Sequence, residues 1–177
     1  GKAMNAIELA ARVKEKYDKA WIIENARKAV TQAARFGNTH IRAFADVDSK
    51  ARLEGVKALI RAREEFKGIV EIQVVAFAQD GWVRERGTDK LMREAMELGA
   101  DVVGGIPWIE YTEADTQQHV KEIFDLAVEF NKDVSMLVDD AGDAGLRSLE
   151  AMAVEAIQRN WHGRALAHHA RAMALYP

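Results

Sequence analysis

The hydrophobic pattern of this chain switches repeatedly between a period of two residues and a period near 3.6, and that alternation restricts the architectures open to it. Helical patterns run over 4–17 and 22–36; in the second, Ile23, Ala26, Val30 and Ala33 share a face and Gly37 supplies a stop. The run 39–47 then alternates, with His40, Arg42, Phe44 and Asp46 on one side and Ile41, Ala43, Ala45 and Val47 on the other, so a strand with both faces enclosed is predicted. Asp48 or Ser49 can cap a helix to about Phe66, carrying Leu53, Val56 and Ile60 and ending before Gly68. The unit recurs as a strand over 70–78 and a helix through Leu91, Ala95 and Leu98 that stops at Gly99. Strands at 102–106, 134–139 and 164–169 follow, separated by a helix bearing Val120, Phe124 and Ala127 and another bearing Leu146, Leu149, Ala153 and Ile157. Thr112 with Asp115 three residues on has the form of a capping box.

Five strands separated by helices imply right-handed crossovers and a parallel α/β sheet, its strands neighbours in chain order. A full (β/α)₈ barrel takes at least about 200 residues, so a chain of 177 supplies about five to six βα units of a TIM-type barrel, read as one segment over 1–177. A small doubly wound sheet has the same order of elements and stays open as the alternative.

Polar residues gather where the predicted strands end: Asp46 and Asp48, Gln79 and Asp80, Glu110, then Asp139, Asp140 and Asp143, and finally His168 and His169. In parallel α/β folds that edge carries the chemistry, because rigid strands hold what the loops present. Gln79, Asp139, Asp140 and His169 are therefore expected to converge there, while Asp48, Asp80 and Asp143 also suit plain capping. Arg42, inside a strand, needs a partner and is expected to pair with Glu71 or Asp46. His40, at the far end of its strand, reads as a core histidine rather than a ligand.

The 25 basic and 28 acidic residues leave a net charge of −3 without long like-sign runs, which gives no footprint for nucleic acid. With no cysteine, disulfides, thiolate nucleophiles and thiolate-bound zinc drop out together. No apolar run reaches the roughly 20 residues of a membrane span, and the first twenty residues have helical periodicity rather than a signal-peptide pattern, so a cytoplasmic protein is expected. Gly104-Gly105 lacks the further glycine and helix start of a phosphate loop.

The runs THIRAFADVD, EIQVVAFAQDG, LGADVVGGIPWIE, VSMLVDDAGD and RALAHHARAM, in this order and spacing, resemble the cytosine deaminase and isopropylammelide amidohydrolase group of the amidohydrolases. The resemblance covers nearly the whole chain. It implies a metal-dependent hydrolase of the (β/α)₈ type, cleaving C–N bonds of small nitrogen heterocycles with a divalent Zn, Fe or Mn ion. It further implies that Gln79 hydrogen-bonds the ring edge, that Asp140 shuttles protons, and that His169 lies beside the reacting water while His168 points the other way. Trp82 and Trp108, near Gln79 and Glu110, are candidates to stack on a planar ring, with Glu110 counted among the substrate contacts.

Two departures stand out. Leu137 occupies the position of the group's metal-ligating histidine, and Phe44 replaces the histidine of its THVDV run. Leucine cannot coordinate a cation, which leaves Asp139, two residues along the same face, as a substitute carboxylate ligand or catalytic group. A hydrolase with a rearranged site is one expectation. The other is an incomplete barrel acting as a binding or assembly subunit, closed by a second copy or by another chain.

Overall fold

The computed structural model describes residues 3–176. Helices α1 (Ala3–Lys14) and α2 (Lys19–Arg35) lead into β1 (His40–Asp46), α3 (Glu54–Glu65), β2 (Glu71–Ala78), α4 (Thr88–Glu97) and β3 (Val102–Gly105). A 3₁₀ turn (Pro107–Ile109), α5 (Glu113–Phe130), β4 (Asp133–Val138), α6 (Ser148–Gln158), β5 (Ala165–His169) and a last 3₁₀ turn (Arg171–Leu175) complete it. The strands form one parallel sheet in the order β1-β2-β3-β4-β5.

That order separates the two architectures left open by the sequence. A doubly wound sheet reverses its strand order at a switch point and carries helices on both faces. Here every crossover advances to the next neighbour, and the strand residues Ala45, Val74, Val103, Met136 and Val138 share one core with the helices. The sheet is also curled. Flat, four strand spacings would set β1 and β5 about 19 Å apart, yet the rings of Phe44 and His168, one from each, lie 5.3 Å apart edge to face. The protein is a half-barrel with α2 to α6 outside and a second, smaller cluster of Val75, Phe77, Val102, Ile106 and Ile109 on the concave side.

The outer layer follows from the helical stripes. In α5, Val120, Ile123, Phe124 and Ala127 are fully buried, and each large apolar side chain so removed from water contributes about 1.5–3 kcal/mol. The Thr112–Asp115 capping box starts that helix as predicted. Helix α1 behaves differently, because Met4 and Ile7 pack against the concave cluster, so it lies over the inner side of the sheet near β2 and β3.

Local expectations change in four places. His40 is exposed at the outer edge, its Nδ1 2.9 Å from Thr39 Oγ1, because β1 is an edge strand and its first residue has no cover. Arg42 donates to Gln73 Oε1 at 2.6 Å rather than to Glu71 or Asp46, since the parallel register sets residues 42 and 73 side by side. The capping expectations fail for Asp48 and Asp80: α3 begins at Glu54, well past Asp48, which closes a turn by accepting the N–H groups of Lys50 and Ala51, and Asp80 takes an ion pair from Lys14. Asp143 accepts the N–H of Gly145 within its loop.

Candidate active site

Strands β4 and β5 run parallel with Val138 opposite His169, so the residues just beyond them emerge together at the C-terminal edge. Asp139, His169 and Ala170 all have positive φ, 49°, 65° and 50°, which turns the chain sharply as it leaves each strand. Ala170 N–H donates to Val138 O and Ala172 N–H to Asp139 O, tying the two exits together. Asp140 and His169 thereby meet, with Oδ1 3.4 Å from Nδ1 and side chains 25% and 42% exposed. Both remain open to a ligand. Arg171 extends the pair, its Nη1 3.9 Å from Asp140 Oδ1. Gln79 leaves the end of β2, half-buried, at the same edge of the sheet.

Asp139 has another task. Its side chain is buried and accepts from Ser148 N at 2.9 Å, Leu149 N at 3.0 Å, the Ser148 hydroxyl and the Tyr176 hydroxyl at 2.8 Å. Two of those N–H groups belong to the first turn of α6, so Asp139 caps a helix that begins nine residues later. With its lone pairs committed, it has no valence to spare for a cation or a proton shuttle. The catalytic and ligand roles expected of it are corrected on that ground.

Glu110 is likewise withdrawn from substrate contact. Its carboxylate accepts the N–H groups of Trp82 (2.6 Å), Val83 (3.2 Å) and Arg84 (2.8 Å), and it lies 2.7 Å from His119 Nδ1 with both side chains fully buried. Burial pushes Glu110 up, but His119 and the N–H donors outweigh it and hold the carboxyl below its usual range. Burial dominates for His119, whose imidazole is held below its ordinary value despite Glu110. His119 sits so close to β3 that a side chain at Gly105 would collide with its Nε2, and one at Gly104 would come within 2.9 Å of Ser135 O on the next strand. The paired glycines serve packing, as the missing phosphate-loop features imply.

The two tryptophans part company. Trp82 packs on the helix side, its ring 6.3 Å from His119, so it is not placed to stack on a ligand at the inner edge. Trp108, on the 3₁₀ turn after β3, packs against the concave cluster and its buried Nε1 has no hydrogen-bond acceptor among the described residues. His168 also departs from expectation: the register pairs it with Leu137, and its Nε2 lies 2.7 Å from Ser135 Oγ, so it faces the concave side rather than away from it. Burial, then the charges of Arg42 and His169, hold its imidazole below the ordinary range.

Leu137 packs against the concave apolar cluster together with Phe44. Among the described residues no group of three or more His, Cys, Asp or Glu side chains is arranged to hold a metal ion. A metal of the kind the resemblance implies therefore does not fit the described residues. The group missed in the sequence is Lys14, whose buried ammonium is ion-paired to Asp46, Asp48 and Asp80. A lysine near the end of an amphipathic helix carries no local sign of burial.

A parallel half-barrel with acid, amide and imidazole side chains at its C-terminal strand ends has the layout of a TIM-type α/β barrel, whose chemistry sits at that edge. The family model described as the amidohydrolase family matches residues 3–177, and the chain belongs to that family. It is 33% identical over 159 residues to N-isopropylammelide isopropyl amidohydrolase of Pseudomonas sp. (strain ADP), covering 90% of this chain and 38% of that one. Among solved structures, 5-methylcytosine deaminase from Klebsiella pneumoniae liganded with 5-fluorocytosine superimposes with a TM-score of 0.95 at 31% identity, over 99% of this chain and 42% of that one. N-isopropylammelide isopropylaminohydrolase from Burkholderia multivorans gives a TM-score of 0.68 at 30% identity, over 76% and 34%. The chain thus spans about two fifths of the length of these relatives or less. No helix among the described residues is long and apolar enough to cross a membrane.

Proposed function

We propose that this chain carries the substrate-facing part of a hydrolase that breaks a C–N bond on a small nitrogen heterocycle. The observation behind the reading is the meeting of Asp140 and His169 at the ends of adjacent strands, within 3.4 Å and open to solvent. Hydrolysis at a ring carbon needs a group that takes a proton from water and returns it to the ring or to the departing amine, and a second that stabilises the charge formed between those events. Asp140 suits the first role and His169 the second. Gln79 offers both a donor and an acceptor to a ring edge, and Trp108 supplies an aromatic wall. The names of the relatives, a deaminase solved with 5-fluorocytosine and an isopropylammelide amidohydrolase, support this substrate class.

The test is release of ammonia from 5-fluorocytosine or isopropylamine from N-isopropylammelide by the purified full chain. Asp140→Asn and His169→Ala are each expected to lower turnover by about 10²-fold or more; turnover indifferent to both would remove these residues from the site. A second reading, an incomplete barrel that binds or assembles with a second copy or another chain, is favoured by Leu137 in its apolar cluster and by Leu166, 45% exposed on edge strand β5. Turnover together with oligomeric state separates the two. Product release that is lost in Asp140→Asn supports the hydrolase, and self-association of a chain without turnover supports the binding subunit.

A further inference from the structure

We propose that Lys14 is a positioning residue: its buried ammonium ties α1 to the ends of β1 and β2 and so fixes the turn that presents Gln79. The side chain is fully buried, with Nζ 2.7 Å from Asp48 Oδ2, 3.0 Å from Asp80 Oδ1 and 3.2 Å from Asp46 Oδ2. An ammonium has three N–H groups, and here three carboxylates surround it. They come from three places in the chain: the last residue of β1, the loop just past it, and the turn after β2. Asp48 also accepts the N–H groups of Lys50 and Ala51, which brings the loop after β1 into the same network.

Lys14 fills the role a cation would take among these carboxylates. Without it, three carboxylates would share one spot with only Lys50, its Nζ 3.8 Å from Asp80 Oδ2, left as a counter-charge, an arrangement that must move apart or take up protons. The helix that delivers the ammonium is also the one whose Met4 and Ile7 pack on the concave cluster, so one element covers the inner side and neutralises the strand ends.

The consequence falls on the segment 79–84. Asp80, next to Gln79, is held at the start by Lys14, and the N–H groups of Trp82, Val83 and Arg84 are held at the end by Glu110. Between the clamps, Gly81 has φ of 103°, a conformation side chains rarely adopt. Releasing the Lys14 clamp frees the end of the turn that carries Gln79 while Glu110 still holds the other. The inference about positioning rests on the reading of Gln79 as a ring contact; the tie between α1 and the turn does not.

Hydrogen exchange followed by mass spectrometry tests the tie without any ligand. In the unaltered chain, peptides covering α1 and 79–84 are expected to open in one step and show a common protection. Lys14→Met should lower that protection by about a hundredfold or more, the effect of leaving buried carboxylates without their counter-ion, with α4, α5 and α6 unchanged. Lys14→Arg should restore part of it. Unrelated openings of α1 and 79–84 in the unaltered chain would overturn the proposal even if Lys14→Met failed to fold, as would a loss of protection spread evenly over all helices. Where the chain turns over a heterocycle, Lys14→Met should raise KM about tenfold with kcat held within about twofold. An unchanged KM alongside lost protection would leave the tie standing and refute the positioning of Gln79. Absence of turnover in the unaltered chain would count against the hydrolase reading and leave the exchange result to decide the tie.

Discussion

Replacing Leu137 by histidine puts an imidazole where the family resemblance expects a metal ligand, and the structure predicts that it gains nothing there. Leu137 faces the concave side, packed against a cluster that includes Val75, Phe77 and Val102. Its partner in register, His168, is already engaged with Ser135 Oγ, and Asp139 is saturated by α6 and Tyr176. A new imidazole therefore loses part of the apolar burial of leucine and finds no ready partner, a cost of about 1–3 kcal/mol. For a chain of this size, 1 kcal/mol moves Tm by about 2–4 °C, so Leu137→His should melt roughly 2–12 °C lower. Melts with and without Zn²⁺ or Mn²⁺ provide the second axis, because a ligand at a hundred times its Kd stabilises by about 2.7 kcal/mol, enough to offset most of the loss. Zinc sites need three or more protein ligands, and Leu137→His and His168 supply two. The variant is expected to melt lower in every condition. Full recovery of Tm on adding metal, with no such rise in the unaltered chain, would refute the reasoning and point to a latent metal site at the end of β4.

Three further outcomes are expected. Gly105→Ala should destabilise by about 1–3 kcal/mol through overlap with His119 Nε2, and the cost should shrink in a His119→Ala background; equal costs in both backgrounds, read by urea titration, would show that the close approach is not the cause. Both His119 and His168 titrate below the ordinary imidazole value in the folded chain. The unfolded chain therefore binds more protons just below pH of about 6.5, and stability should fall as pH drops through that window, by at most about 1.4 kcal/mol per pH unit for each histidine; urea midpoints between pH 7.5 and 5.5 that are equally steep in His119→Gln would exclude His119 as a source. Asp139→Ala, which strips the acceptor from two helix N–H groups and two hydroxyls, should cost about 2–4 kcal/mol, and a melting temperature within a degree of the unaltered chain would contradict its structural role.

The sequence by itself determined the order of strands and helices, because side-chain period is a local property and each stripe reports which face is dry. It also determined that Gln79, Asp140 and His169 leave strands at one edge, since parallel strands all point their C-terminal ends the same way. The roles of individual polar residues were not local. Asp139 and Asp140 are neighbours of the same type, yet one caps a helix nine residues on and the other meets His169, a difference set by the positive φ at Asp139 and by where α6 docks. Glu110 looked like a site carboxylate until the fold brought three N–H groups and His119 around it. Lys14 gave no sign at all. Its burial depends on three aspartates that are 32, 34 and 66 residues away in sequence, and only the pairing of β1 with β2 and the docking of α1 bring them to one point. Hydrophobic patterning is written residue by residue, whereas the pairing of charges is decided by distances that exist only once the chain has closed.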